Sequence, residues 1–426
     1  MPIINPRIRF IEKFLVRFNS AFSTKHQRSI FREFIYAMFI DCKRMSLAAI
    51  ANNTTINYQK LQYFFSEADW NIKTLNDIRI RMLHNQRTTR ANKNGVLAID
   101  DTACPKPHAE KTEGASIQYC GCLGKEENAN VAVASCFVSN TKHFPVDFKS
   151  YLPITTPNPQ NFKSKLDLAK ELIAEAITKG IPFKSVVTDS WYTSTDLIEF
   201  TASKNVSLTA EVKINRSIFF THPQTKQWRY LTGDKIIPLI KEFYPHKLKT
   251  AAIPQADGTD KNVLYYAFKS KLKDCSTEVQ VIFIFDKWSS TDDKNTHILI
   301  TTDLAMSVRS AILTYLLRWG IPACRQAGKN LFMNLKTPFV LTSIRYAIRS
   351  KSKNTGLCHS WPGRLPTGLN RTAASLRSSM KHRRLSANAS RLLLHLSSLT
   401  PASCCQRTKN LLLPYITSNQ NGLRKN

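Results

Sequence analysis

Two aspartates each close a short apolar run: GVLAID at residues 95–100 leads into Asp101, and FKSVVTD at 183–189 ends on Asp189. Apolar runs of this length suit buried strands, and an acid at the end of a strand faces whatever site lies beyond the sheet. Two carboxylates brought together this way repel one another and call for a cation. Hard oxygen ligands select Mg²⁺ or Mn²⁺, and two such ions about 3.5 to 4 Å apart activate a water and stabilise the departing oxygen in phosphodiester cleavage. Taken singly, each acid has a plainer reading. Asp100, Asp101 and Thr102 could open a turn, and Asp189 with Ser190 could cap the helix that starts near Thr193.

The elements that would hold this pair form a recognisable order. Apolar residues at helical spacing (Phe14, Phe18, Phe31, Phe34, Ile35, Met38) make residues 1–90 a helical region. Its stretch 58–70, YQKLQYFFSEADW, sets aromatics beside basic and amide side chains; it reads as core helix or as a DNA-contacting one. Residues 91–212 alternate strand and helix, with strands expected at 95–102, 116–122, 130–138 and 183–189 and a helix over 161–179 that stops at Gly180 before Pro182. Residues 213–295 turn to short alternating segments such as 263–268 and 279–285, a β-rich insertion. Residues 296–350 resume the α/β pattern with HILITTD at 297–303 and an amphipathic helix through Leu313, Tyr315 and Arg318. The order predicts an α/β fold, a mixed sheet flanked by helices.

Charge narrows the partner. The 61 Lys and Arg against 30 Asp and Glu give a net +31, and no acid occurs after Asp303. Such a charge attracts polyanions by counterion release, so double-stranded DNA is the expected partner, with a basic RNA-binding protein as a competing reading. Residues 351–426 are rich in Ser, Arg and Leu without periodicity and are expected to be a basic tail, either disordered or translated out of frame. No apolar run approaches the roughly 18 residues of a membrane span, and the first residues lack a signal-peptide core, so no membrane partner and a cytoplasmic, nucleoid-associated location are expected. The ten cysteines are scattered; the close pairs, Cys120 with Cys122 and Cys404 with Cys405, lack the spacing of a zinc site.

Four ordered motifs then carry a resemblance: AIDDTACPK at 98–106, QYCGCLGK at 118–125, VVTDSWY at 186–192 and YLLRWGI at 315–321. Together they resemble the DDE-type insertion-sequence (cut-and-paste) DNA transposases. That resemblance implies a ribonuclease-H-like core interrupted by the β-rich insertion, and an N-terminal helical region that binds transposon ends. It also implies a Mg²⁺ (or Mn²⁺) cofactor, DNA ends and target as partners, and a homodimer in the synaptic complex. Asp101 matches the first metal-binding carboxylate and Asp189 the second, with Asp100 the adjacent acid. The third motif of these enzymes is Tyr-x2-Arg-x3-Glu-x6-Lys, and Tyr315 and Arg318 match its start as contacts to the DNA backbone. Read without a gap, the Glu position holds Pro322 and the Lys position Lys329. With a seven-residue insertion over 322–328, the same positions hold Lys329 and Lys336. Neither register supplies the third acid. A transposase that is impaired in this copy is the expectation, and a catalytically dead DNA-binding protein occupying transposon ends is the alternative.

Overall fold

The computed structural model describes residues 6–40, 47–53, 56–109, 112, 114–121, 123–154, 162–254, 259–285 and 296–319. Two compact units divide them: one takes the residues up to Asn85 with His108–Ala115, and the other runs over Gln86–Pro107 and from Ser116 to Trp319.

The first unit is helical. Its helices are α1 (Pro6–Leu15), α2 (Lys25–Ile40), α3 (Leu47–Asn53), α4 (Tyr58–Ser66) and α5 (Ile72–His84), with a 3-10 turn at Val16–Ala21. Asparagines set two of the starts. The Asn57 side chain accepts from the Gln59 amide, and Asn71 accepts from those of Lys73 and Thr74, so otherwise orphaned first-turn donors are satisfied. The aromatics of 58–70 divide by face: Phe64, Phe65 and Trp70 are buried with Phe22, Phe31 and Phe34, whereas Tyr58 and Tyr63 stay exposed. Phe64 stacks on Trp70, whose indole N–H donates to the Phe64 carbonyl at 2.7 Å. Burial of the larger rings thus belongs to the core, and only the two tyrosines remain on the surface.

The second unit is built on one large sheet. Its strands are β1 (Val96–Pro105), β2 (Ser116–Cys120), β3 (Lys125–Val138), β4 (His143–Tyr151), β5 (Ser185–Thr188), β6 (Ser207–Val212), β9 (Lys249–Pro254), β10 (Asp260–Lys271), β11 (Glu278–Phe285) and β12 (Thr296–Thr301). They lie in the order β2-β3-β1-β5-β6-β12-β11-β10-β9, with β4 beside β3. The central pairs β1/β5 and β5/β6 are parallel, and β1/β3, β3/β4 and β6/β12 are antiparallel, so the sheet is mixed. Helices α6 (Lys165–Thr178) and α7 (Thr195–Ser203) make the crossovers before and after β5, as parallel pairing requires. Most of residues 213–295 joins the same sheet: β9, β10 and β11 extend it beyond β12, while β7 (Ser217–Thr221) and β8 (Trp228–Thr232) form a separate ribbon followed by α8 (Gly233–Phe243).

Local chemistry fixes the elements around the site. Ser164 and Asp167 form a reciprocal capping box that starts α6, and Gly180 ends the segment with φ +65, a conformation that glycine adopts without a Cβ penalty. The strands β1, β5 and β6 are buried over their apolar stretches on both faces. Helix α9 (Val308–Leu316) packs Val308, Ala311, Ile312 and Tyr315 on Ile282, Ile284 and Leu299 of the sheet, and continues into a 3-10 turn at Leu317–Trp319. Among the described residues no helix is long and apolar enough to cross a membrane.

Candidate active site

Strand register decides which acids meet. The β5/β6 ladder pairs Thr188 with Ala210, so its next step sets Asp189 level with Glu211. The β1/β5 ladder ends at Ala98 with Val187, two residues before Asp100 and Asp189. Neighbouring strands lie about 4.8 Å apart and side chains alternate between faces. Asp100 on β1, Asp189 just after β5 and Glu211 on β6 thus come from three neighbouring strands, and the end of α9 lies against Glu211. Burial opposes the Arg318 cation, yet Tyr315, Asp100, Asp189 and Glu211 together outweigh burial and hold the guanidinium pKa above its ordinary value. One buried cation thus feels the charge of all three acids.

Glu211 anchors this helix. Tyr315 Oη donates to its Oε2 at 2.8 Å, and His297 Nδ1 lies 2.9 Å from its Oε1. Burial pushes the Glu211 carboxyl up, but His297, Tyr315 and Arg318 prevail and its pKa lies below the ordinary value. Burial and the Glu211 charge push the Tyr315 phenol well up, so it remains a neutral donor. The Arg318 guanidinium lies over the Tyr315 ring, 5.4 Å from its centre.

Asp101, the next residue along β1, meets the start of α6. There Lys165, the first residue of α6, places its ammonium 2.6 Å from Asp101 Oδ2. Asp189 is fixed locally: its Oδ1 accepts from the amides of Trp191 at 3.0 Å and Tyr192 at 3.3 Å, an Asx-type turn that ends β5. The Thr193 hydroxyl lies 2.8 Å from the carbonyl oxygens of both Asp189 and Glu211 and ties that turn to β6. Tyr192 is buried among the acids. Burial raises its phenol pKa strongly, and Asp101, Asp100 and Asp189 add to the rise. Its hydroxyl is buried with no hydrogen-bond partner among the described residues.

The carboxylates midway along β1, which runs on to Pro105 rather than stopping at the acids, and just after β5 are the candidate metal ligands, although among the described residues no three His, Cys, Asp or Glu side chains already converge to hold an ion. Asp101 lies on β1 and Asp189 just after its parallel neighbour β5. Tyr315 and Arg318 reach the same region from α9, and both are buried. Pro322, Lys329 and Lys336 lie outside the described residues. Sequence reasoning passed over Glu211, His297, Tyr192 and Lys165. A signal for Glu211 was there: SLTAE at 207–211 repeats the design of an apolar run delivering an acid.

Residues 17–264, more than half of the chain, match the family model for the DDE superfamily endonuclease. The chain belongs to that family. It is also 28% identical over 189 residues to the probable transposase for insertion sequence element IS701 of Microchaete diplosiphon, a match covering 44% of this chain and 49% of the relative. The chain thus spans about half the length of that curated relative. The NurA nuclease of Sulfolobus solfataricus aligns over 77% of this chain and 99% of its own, but at 13% identity and a TM-score of 0.27 the likeness carries no argument about fold. For a DDE-family chain, the acids carried by the neighbouring strands β1, β5 and β6 are the feature that bears on chemistry.

Proposed function

We propose that this DDE-family chain is an insertion-sequence transposase whose core cuts DNA at transposon ends and joins them to target DNA with the help of Mg²⁺ or Mn²⁺. The carrying observation is the convergence of the Asp100–Asp101 pair, Asp189 and the Tyr315–Arg318 helix, from widely separated sequence positions, at one end of the β1/β5/β6 sheet. The order β4-β3-β1-β5-β6, with α6 and α7 as crossovers, supports a ribonuclease-H-like core.

The residues suit a hard cation. Asp101 on β1 and Asp189 just after β5 offer carboxylate oxygens, and the Tyr192 hydroxyl beside them, unpartnered among the described residues, is a buried donor suited to a water or phosphate oxygen. Asp101 and Asp189 would hold the metal, which when bound makes a water a stronger nucleophile and stabilises the departing oxygen. Attack by a water at phosphorus would break the phosphodiester and free a 3′-hydroxyl. The hydroxyl then attacks a target phosphodiester, so one bond forms as one breaks and no further reactant is needed. Arg318 and Tyr315 would steady the phosphate beside the acids. The N-terminal helical unit would bind the ends, and two copies would pair them in a synaptic complex.

This copy is impaired on the same reading, because Pro322 or Lys329 stands where the third carboxylate belongs. A proline removes a backbone donor, and a lysine adds positive charge where a cation must bind. The test compares wild type, Lys329→Glu, and deletion of 322–328 combined with Lys329→Glu, in nicking of an end-bearing duplex with Mn²⁺. The combined variant should nick, and Asp101→Ala or Asp189→Ala within it should abolish nicking. Strong nicking by the unaltered chain would refute the impairment, and nicking that survives both aspartate substitutions would refute the site.

A further inference from the structure

Lys165 reaches Asp101 from the start of α6, and its ammonium is held on three sides. Asp101 Oδ2 lies at 2.6 Å, the centre of the Tyr151 ring at 5.5 Å and that of the Trp191 ring at 5.4 Å. The Lys165 side chain is 18% exposed and that of Asp101 38%, so the pair is shielded on the lysine side and open on the carboxylate side. An aromatic frame of this kind holds a cation through the ring faces and limits its motion. A surface pair such as Lys170 with Asp196, where the acid is 63% exposed, has no such frame.

We infer that Lys165 is the resident counter-cation of Asp101, and that a divalent metal binds there only by displacing the lysine ammonium. The inference rests on the proposed role of Asp101 as a metal ligand. Two cations on one carboxylate repel each other, and the ammonium already satisfies the oxygen that a metal would take. The ion therefore competes with a tethered cation rather than with water alone. Displacement also frees a positive charge beside the site, where an incoming phosphate would receive it, so metal and DNA would load together. This coupling is a linkage between two ligands through one side chain.

The test measures Mn²⁺ binding to the full chain by the loss of the free-ion paramagnetic resonance signal, with no DNA and no cleavage required. Lys165→Ala should bind Mn²⁺ about tenfold more tightly than wild type, the size expected for a partly buried ion pair reinforced by two rings. Lys165→Arg, which keeps a cation in the frame, should stay near wild type. In an Asp101→Ala background, Lys165→Ala should make no difference. Damage to folding weakens binding, so a gain in affinity cannot come from a disrupted α6. If Lys165→Ala binds equally or more weakly while Asp101→Ala loses binding, the competition is wrong and the metal role of Asp101 stands. If Asp101→Ala binds as wild type does, or if neither wild type nor Lys165→Ala binds, the metal role of Asp101 fails and the inference falls with it.

Discussion

Replacing Glu211 by alanine should loosen the end of α9 from the sheet. The substitution leaves the buried Tyr315 hydroxyl without its acceptor at 2.8 Å and removes one of the acids facing the buried Arg318. A buried hydroxyl stripped of its partner costs about 1–3 kcal/mol, and weakening the balance around a buried cation adds to this, so about 3 kcal/mol is expected in total. For a unit of this size that corresponds to a fall of about 6–12 °C in its melting transition. Glu211→Gln keeps an oxygen for Tyr315 and loses only the charge, for about 1 kcal/mol. Tyr315→Phe removes the donor and leaves Glu211 with His297 and Arg318. The double variant Glu211→Ala with Tyr315→Phe should therefore cost less than the two single changes together, by about 1–2 kcal/mol of coupling. Thermal unfolding of the four proteins, followed by tryptophan fluorescence and by circular dichroism, measures the cycle. Strict additivity, or a Glu211→Ala melting transition within about 1 °C of wild type, would refute the view that Glu211 anchors the helix.

The Glu211 contribution should depend on pH with a defined sign. Its folded pKa is depressed, so its stabilisation is complete above the ordinary carboxylate value of about 4.3 and is lost as pH falls through the lower folded value. The gap in melting temperature between wild type and Glu211→Gln should close over that acidic window, and a gap that widened there would contradict the assignment. Gly95→Ala should destabilise the second unit by about 1–3 kcal/mol, because a Cβ there would come within 2.2 Å of the buried Phe137 ring; an unchanged unfolding midpoint in urea would show that the ring moves aside freely. Duplex binding should weaken steeply between 50 and 200 mM salt (roughly the range over which phosphate contacts lose most affinity), and truncation after residue 350 should lower non-specific affinity while sparing any preference for transposon ends. Filter-binding titrations on end-bearing and random duplexes separate the two effects, and equal losses on both would place end recognition outside residues 1–90.

The sequence by itself picked out two of the candidate acids and the kind of fold. Runs of β-branched and apolar residues closing on Asp101 and Asp189, a helix stop at Gly180 and the charge imbalance are local patterns, set by side-chain chemistry within a few residues. They placed β1, β5, α6 and α9 and selected both aspartates as candidates. Strands β4 and β6 escaped that reading. The β6 run is short and carries Ser, Thr and Glu among its apolar residues, so its strand character comes from pairing with β5 and β12 rather than from its own pattern. With β6 went Glu211, which meets Tyr315 and His297 across more than eighty residues of chain. Register likewise belongs to the tertiary structure. Pairing with β5 puts the strand that carries Asp101 beside the one that delivers Asp189, and the approach of α6 sets Lys165 on Asp101. Residue types are legible along a chain, whereas which face they share is fixed by hydrogen bonds between strands far apart in it.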